Sequence, residues 1–162
     1  MSYQKAEDKI IELLRDYIKS NTFKVVMDGD PLKVPQSLLP CIIVEKESGT
    51  ERLGATGLDK SESLIRIKVL LNKKDVFGKS GLVRSSYKEL KDYIEERNAT
   101  TGQYETNTII GILRKYFTLS NKVVENEIHT EYGLGTARSD TMVQEGHIII
   151  NTIENIEISN RQ

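Results

Sequence analysis

SESLIRIKVLLN, residues 61–72, is the stretch that decides how this chain folds. Ile65, Ile67, Val69 and Leu71 are bulky and apolar, and Arg66 and Lys68 fall between them. Successive side chains of a strand point to opposite faces, so one face of this strand seeks a core and the other carries charge. A sheet covered on one side only is the common habit of antiparallel sheets.

Working outward, residues 41–47, CIIVEKE, predict a second strand, and residues 23–27, FKVVM, a short one before it. Asp28, Gly29, Asp30 and Pro31 supply turn chemistry. Pro31, Pro35 and Pro40 oppose helix, so residues 31–40 read as an extended connection. Residues 48–60 hold Gly49, Gly54 and Gly57 among small and charged residues and predict a long mobile loop. Beyond the central strand, residues 122–132 alternate again, and residues 133–141, GLGTARSDT, predict a second mobile loop. In the last strand region, 142–159, Ile148, Ile150, Ile156 and Ile158 share a phase that Ile153 breaks, which predicts a bulge near 152–155.

Apolar residues at helical spacing predict helices over 3–20 and 82–97, and a shorter one capped by Thr106 or Asn107. The expected architecture is α+β: a mainly antiparallel sheet with helices packed on one face. It forms a single domain over 1–162, with mobile loops near 48–60 and 133–141.

The chain has 162 residues, a formal net charge of -1 and a sequence pI of about 6.2. That is one ordinary domain, large enough to bury a core without a metal or disulfides. The charge balance gives no global field toward nucleic acid or acidic membrane, and no basic stripe marks a duplex site. Cys41 is the single cysteine, so no internal disulfide forms. Lys5, Glu7, Asp8 and Lys9 interrupt the start, which opposes a signal peptide or membrane span and fits a soluble cytoplasmic product.

Motifs that carry chemistry are sparse. Gly133 and Gly135 follow a strand, but Arg138 stands where a dinucleotide fingerprint needs glycine, and a strand follows. Ser139, Asp140 and His147 have no nucleophile elbow around them and read as an exposed turn. His129, His147 and Cys41 lack any zinc spacing, and Asp28 and Asp30 lack the other ligands of a calcium loop. The Asn98-Ala99-Thr100 acceptor pattern has no secretory signal to make it relevant. No catalytic, cofactor or metal residues are expected. Glu125, Glu127 and Glu131 are more informative, because carboxylates on one strand face repel and must stay wet. They fit either the solvent face of a monomer or the wall of a wet acidic channel.

The order of elements, with LPCIIV at 39–44, the glycine loop, the strand at 61–72, the helices, and Arg138-Ser139-Asp140 leading into QEGHIII at 144–150, resembles the tail terminator, or tail-completion, proteins of long-tailed bacteriophages. The 48–60 loop is long for that group. The resemblance implies a non-enzymatic virion protein without cofactor, made in the host cytoplasm and placed at the head–tail junction. It implies a hexameric ring on the last ring of the tail tube protein, which stops tube growth and presents a surface to the head-completion or connector protein. DNA then passes through the lumen without specific binding, and no membrane is involved. On that reading Glu125, Glu127 and Glu131 face the lumen, while Arg52, Lys60, Arg138 and Asp140 lie in the docking loops. Two other readings stay open: another neck or head-completion connector, and a small cytoplasmic ligand-binding domain or enzyme with its site at the sheet edge.

Overall fold

The computed structural model describes residues 4–19, 23, 25–54, 57–72, 75–77, 83–116, 125–133, 136–138 and 141–157. Strands β1 (Val25–Asp28), β2 (Cys41–Arg52), β3 (Leu58–Asn72), β6 (Glu125–Tyr132), β7 (Thr136–Arg138) and β8 (Thr141–Glu157) form one sheet. Its order is β1-β2-β3-β8-β6, with β7 also on β8. β1 runs parallel to β2 and every other pairing in the sheet is antiparallel. Helices α1 (Ala6–Tyr17), α2 (Ser86–Glu95) and α3 (Ile109–Lys115) cover one face. This is the expected α+β architecture.

The alternation of the central strand sets the core. Ile65, Ile67 and Val69 are fully buried and Leu71 nearly so, against Ile42 and Val44 of β2 and Ile148 and Ile150 of β8. Each such side chain, fully removed from water, contributes about 2 kcal/mol. Ile10, Leu13 and Leu14 of α1, Leu90 and Ile94 of α2, and Ile109 and Ile112 of α3 close that face. α2 settles onto β8 over Gly146, where an added Cβ would stand 2.6 Å from Ile94 Cδ1. At α3, Thr108 is the cap: its hydroxyl accepts from Gly111 N at 3.1 Å and donates to the Glu105 carbonyl at 2.7 Å.

The other face is not wholly polar. Val34, Leu39, Cys41, Ile43, Leu70 and Val143 form a second, smaller core there. The proline-rich 31–40 segment covers one end of the sheet and includes a single 3-10 turn, Gln36–Leu38.

Several boundaries differ from the expectation. The 48–60 segment is not a long loop. Ser48–Arg52 and Leu58–Lys60 extend β2 and β3 into a hairpin arm, with Thr50 opposite Glu62 and Arg52 opposite Lys60. The backbone pairs there although Gly49 and the charged side chains favour a loop. On the core-facing phase of that arm Asp59, Ser61 and Ser63 replace isoleucine, so the apolar pattern ends while the strand continues.

The 133–141 segment likewise contains β7, whose Thr136 and Arg138 lie opposite Val143 and Thr141. Because β3 occupies one edge of β8 from Val143 to Glu157, β6 and β7 lie end to end on the other edge. The bulge expected near 152–155 is absent: β8 keeps one register with β3 from Leu58 to Asn72, and Ile153 simply faces the other side. The irregularity is in β2, between Lys46 and Ser48. Residues 83–85, expected as helix, are strand β5 (Val83–Ser85), paired with β4 (Asp75–Phe77) in a separate two-stranded sheet.

Candidate functional site: the charged face of the sheet

The face away from the helices carries the residues singled out from the sequence. In β6, Ile128 and Tyr132 turn into the core, and Glu127, His129 and Glu131 are exposed on the opposite side. Glu125, opposite Ile153, shares the phase of Glu127, which lies opposite Asn151. All of the expected carboxylates therefore occupy one phase of an edge strand. They are not equivalent. Glu131 Oε1 stands 3.3 Å from His129 Nε2, and its other oxygen is 3.9 Å from the Arg66 guanidinium, which reaches across β8.

Arg66 is the centre of a cross-strand cluster. It pairs closely with Glu47 at the bulge of β2 and donates to His147 Nδ1 at 2.8 Å. A guanidinium only donates, so Nδ1 is the acceptor and the ring proton sits on Nε2, 3.2 Å from Glu145 Oε1. Four strands are tied by this chain of contacts: β2 through Glu47, β3 through Arg66, β8 through His147 and Glu145, and β6 through Glu131.

Lys68, two residues further on the same face, makes a second cluster. Its ammonium lies 2.8 Å from both Asp30 Oδ2 and Glu45 Oε1, fixing the β1 turn to the sheet. Burial lowers the Lys68 pKa, but hydrogen bonds and charge from Asp30 and Glu45 outweigh it, so the net shift is upward from 10.5. A group with a raised folded pKa contributes stability that is present below its ordinary value and lost as pH rises through the folded one. Lys68→Met keeps the apolar stem and removes the cation between two carboxylates. It is expected to cost about 2 kcal/mol at neutral pH. In urea unfolding, the wild-type advantage over K68M should shrink only above about pH 10.5. Equal stability of the two proteins at pH 7 would contradict this role.

No family model matches the chain, and no curated protein matches it. The remaining sequence-predicted residues sort by position along β8. Arg52 and Lys60 face each other near the tip of the β2–β3 arm, both exposed, and Arg52 is 3.8 Å from Glu62. Lys60 lies opposite Asn155, whereas Arg138 lies opposite Thr141 at the other end of β8. At about 3.3 Å per residue, roughly 45 Å of strand separates them. The expected docking residues thus mark two ends of one sheet rather than one patch. Asp140 lies outside the described residues.

Arg66 and Lys68 were visible as the charged phase of the central strand, but their partners were not. Which acid meets Arg66 depends on β8 lying between β3 and β6, an order that no local pattern announces. Among the described residues no group of three metal-ligating side chains converges, and no helix is long and apolar enough to cross a membrane. An open cleft of about 910 Å³ lies where α1 begins beside the arm, lined by Lys46, Glu51, Ser61, Ser63 and Glu154. Ser61 donates to Glu51 across it at 2.6 Å.

Proposed function

We propose that this chain is a virion structural protein that caps the tail tube of a long-tailed phage as a hexameric ring, stops tube polymerisation and provides the head-joining surface. The observation that supports this best is the placement of two hairpin ends at opposite limits of one long strand, with a carboxylate-bearing edge strand running between them. A terminator must meet the tube on one side and the connector on the other. The β2–β3 arm with Arg52 and Lys60 is offered for one contact, and the β7–β8 end with Arg138 for the other.

The action is steric and adhesive, not catalytic, and requires no cofactor. A ring seated on the last tube ring covers the surface to which the next tube subunit would add. Glu125, Glu127 and Glu131 repeat around the axis and keep phosphates from adhering as DNA passes. Because Arg66 lies near Glu131, the negative collar is strongest toward Glu127.

The open cleft beside the arm favours one second reading, a small ligand-binding domain. Tail assembly in cells lacking the chain separates the two. Tubes of uncontrolled length that fail to join heads, corrected by supplying the purified chain, are expected. Tails of normal length joined to heads would overturn the terminator reading.

A further inference from the structure

We infer that the turn between α2 and α3 is a binding site for a phosphate-class oxyanion, held by the guanidiniums of Arg97 and Arg114. The site lies on the helix side of the sheet and does not depend on the ring reading.

The backbone builds it. After α2 the chain turns back on itself: Asn98 N donates to the Gln103 carbonyl at 2.7 Å, Gly102 N to the Asn98 carbonyl at 2.8 Å, and Glu105 N to the Glu96 carbonyl at 2.9 Å. Gly102 takes a φ of 73°, a left-handed conformation that glycine adopts at no steric cost. Asn98 Oδ1 accepts from Thr100 N and Thr101 N at 2.9 and 3.0 Å and fills the inside of the turn. Arg97 is thereby set opposite Tyr104 as a bridged antiparallel pair. Tyr104 packs against the main core, so its ring is a fixed platform.

Two cations share that platform. The Arg97 guanidinium lies 4.3 Å from the ring centre and also donates to the phenol oxygen. Arg114, from the last turn of α3, lies 5.3 Å from the same centre. Both line a cavity of about 570 Å³, with Lys115, Gln103 and Thr106 on its rim. A helix C-terminus accounts for Arg114 and Lys115, since cations there complement the helix dipole. It does not account for Arg97, which a separate turn brings onto the same ring.

Like charges gathered on one ring repel unless an anion joins them. Among the described residues neither Arg97 nor Arg114 has a carboxylate within salt-bridge distance, and the neighbouring Glu96 is taken by Lys19 at 2.8 Å. Lys115 differs, because it and Asp16 both act on Tyr17, which stacks on Tyr116. The site therefore rests on the two arginines. Phosphate suits them better than a carboxylate does. One guanidinium fork occupies both oxygens of a carboxylate and leaves the second fork unmet, whereas a phosphate has oxygens for both. The Gln103 amide and the Thr106 hydroxyl add neutral hydrogen-bonding groups on the rim. The cavity is larger than a bare phosphate and leaves room for the group that bears it.

Calorimetric titration of the full chain at low salt, with inorganic phosphate and separately with a short single-stranded oligothymidylate, tests this. Saturable binding is expected, weakened about tenfold or more in R97Q/R114Q, which removes both charges. An oligonucleotide affinity within tenfold of the phosphate affinity would assign a free phosphate or a phosphomonoester. A larger advantage for the oligonucleotide, lost steeply on adding salt, would assign a phosphodiester chain. Either result supports the site. Circular dichroism checks the fold, and R114Q alone gives the same reading if the double variant does not fold. Saturable binding of neither probe, or equal affinity in wild type and variants, would overturn the site and leave the ring reading standing. Capture of a polyglutamate peptide by wild type, without binding of phosphate or oligonucleotide, would overturn it as well.

Discussion

Gly111→Ala is expected to cost the protein about 3 kcal/mol or more, a large share of the 5–15 kcal/mol that holds a typical domain. A Cβ built on Gly111 would stand 1.9 Å from the Glu105 carbonyl oxygen and 2.9 Å from the Thr108 hydroxyl. The first of these is backbone, so no rotamer change relieves it. Moving residue 105 away breaks the Thr108–Glu105 bond and with it the geometry of the α3 cap. α3 carries Ile109 and Ile112 into the main core, so displacement of its first turn spreads into packing under α1 and α2. Urea unfolding should show a lower midpoint with little change in slope. A midpoint within experimental error of wild type would mean that the 105–111 contact is not as described.

That consequence was not legible in the sequence, because a glycine inside a helical pattern announces neither its neighbour nor its distance. The apolar phase of residues 65–71 and the one-sided cover were legible, since strand and helix periodicities differ. The arm was not. In residues 48–60 the apolar signal stops where the helix layer ends, yet the backbone hydrogen bonds of β2 and β3 continue on polar side chains such as Ser61 and Glu62. Ile153 misled for a related reason: β8 is long enough to pass beyond its cover, and an isoleucine on its charged face needs no bulge.

The charged face itself was readable as Glu125, Glu127 and Glu131 on one phase of one strand, but the link from Glu131 to Arg66 required the strand order.

The second large effect concerns passage of DNA. Replacing Glu125, Glu127 and Glu131 by lysine turns a negative strand face positive while leaving Ile128 and Tyr132 in the core. Glu127 and Glu131 are exposed, so the change at these positions should cost about 1 kcal/mol or less each. Most of that cost arises at residue 131, where lysine would face Arg66 instead of pairing with it. In a six-fold ring the substitution is repeated around the channel, and phosphates meet a cationic collar. Release of DNA from virions carrying the triple change is expected to slow about tenfold or more, by the usual size of such electrostatic effects. Added salt should restore much of the rate. Tail length should be normal, because the hairpin ends are untouched. Normal release from normally assembled virions would remove these glutamates from the lumen without touching the role of the ring.

The central claim is a ring at the end of the tail tube, and the most direct measurement is the number of copies of this chain at each tail end. End-on averaging of assembled tails by electron microscopy, with the chain labelled, should show six copies arranged as a closed ring on the last tube ring. A single copy per tail end, or label distributed along the tube, would contradict it.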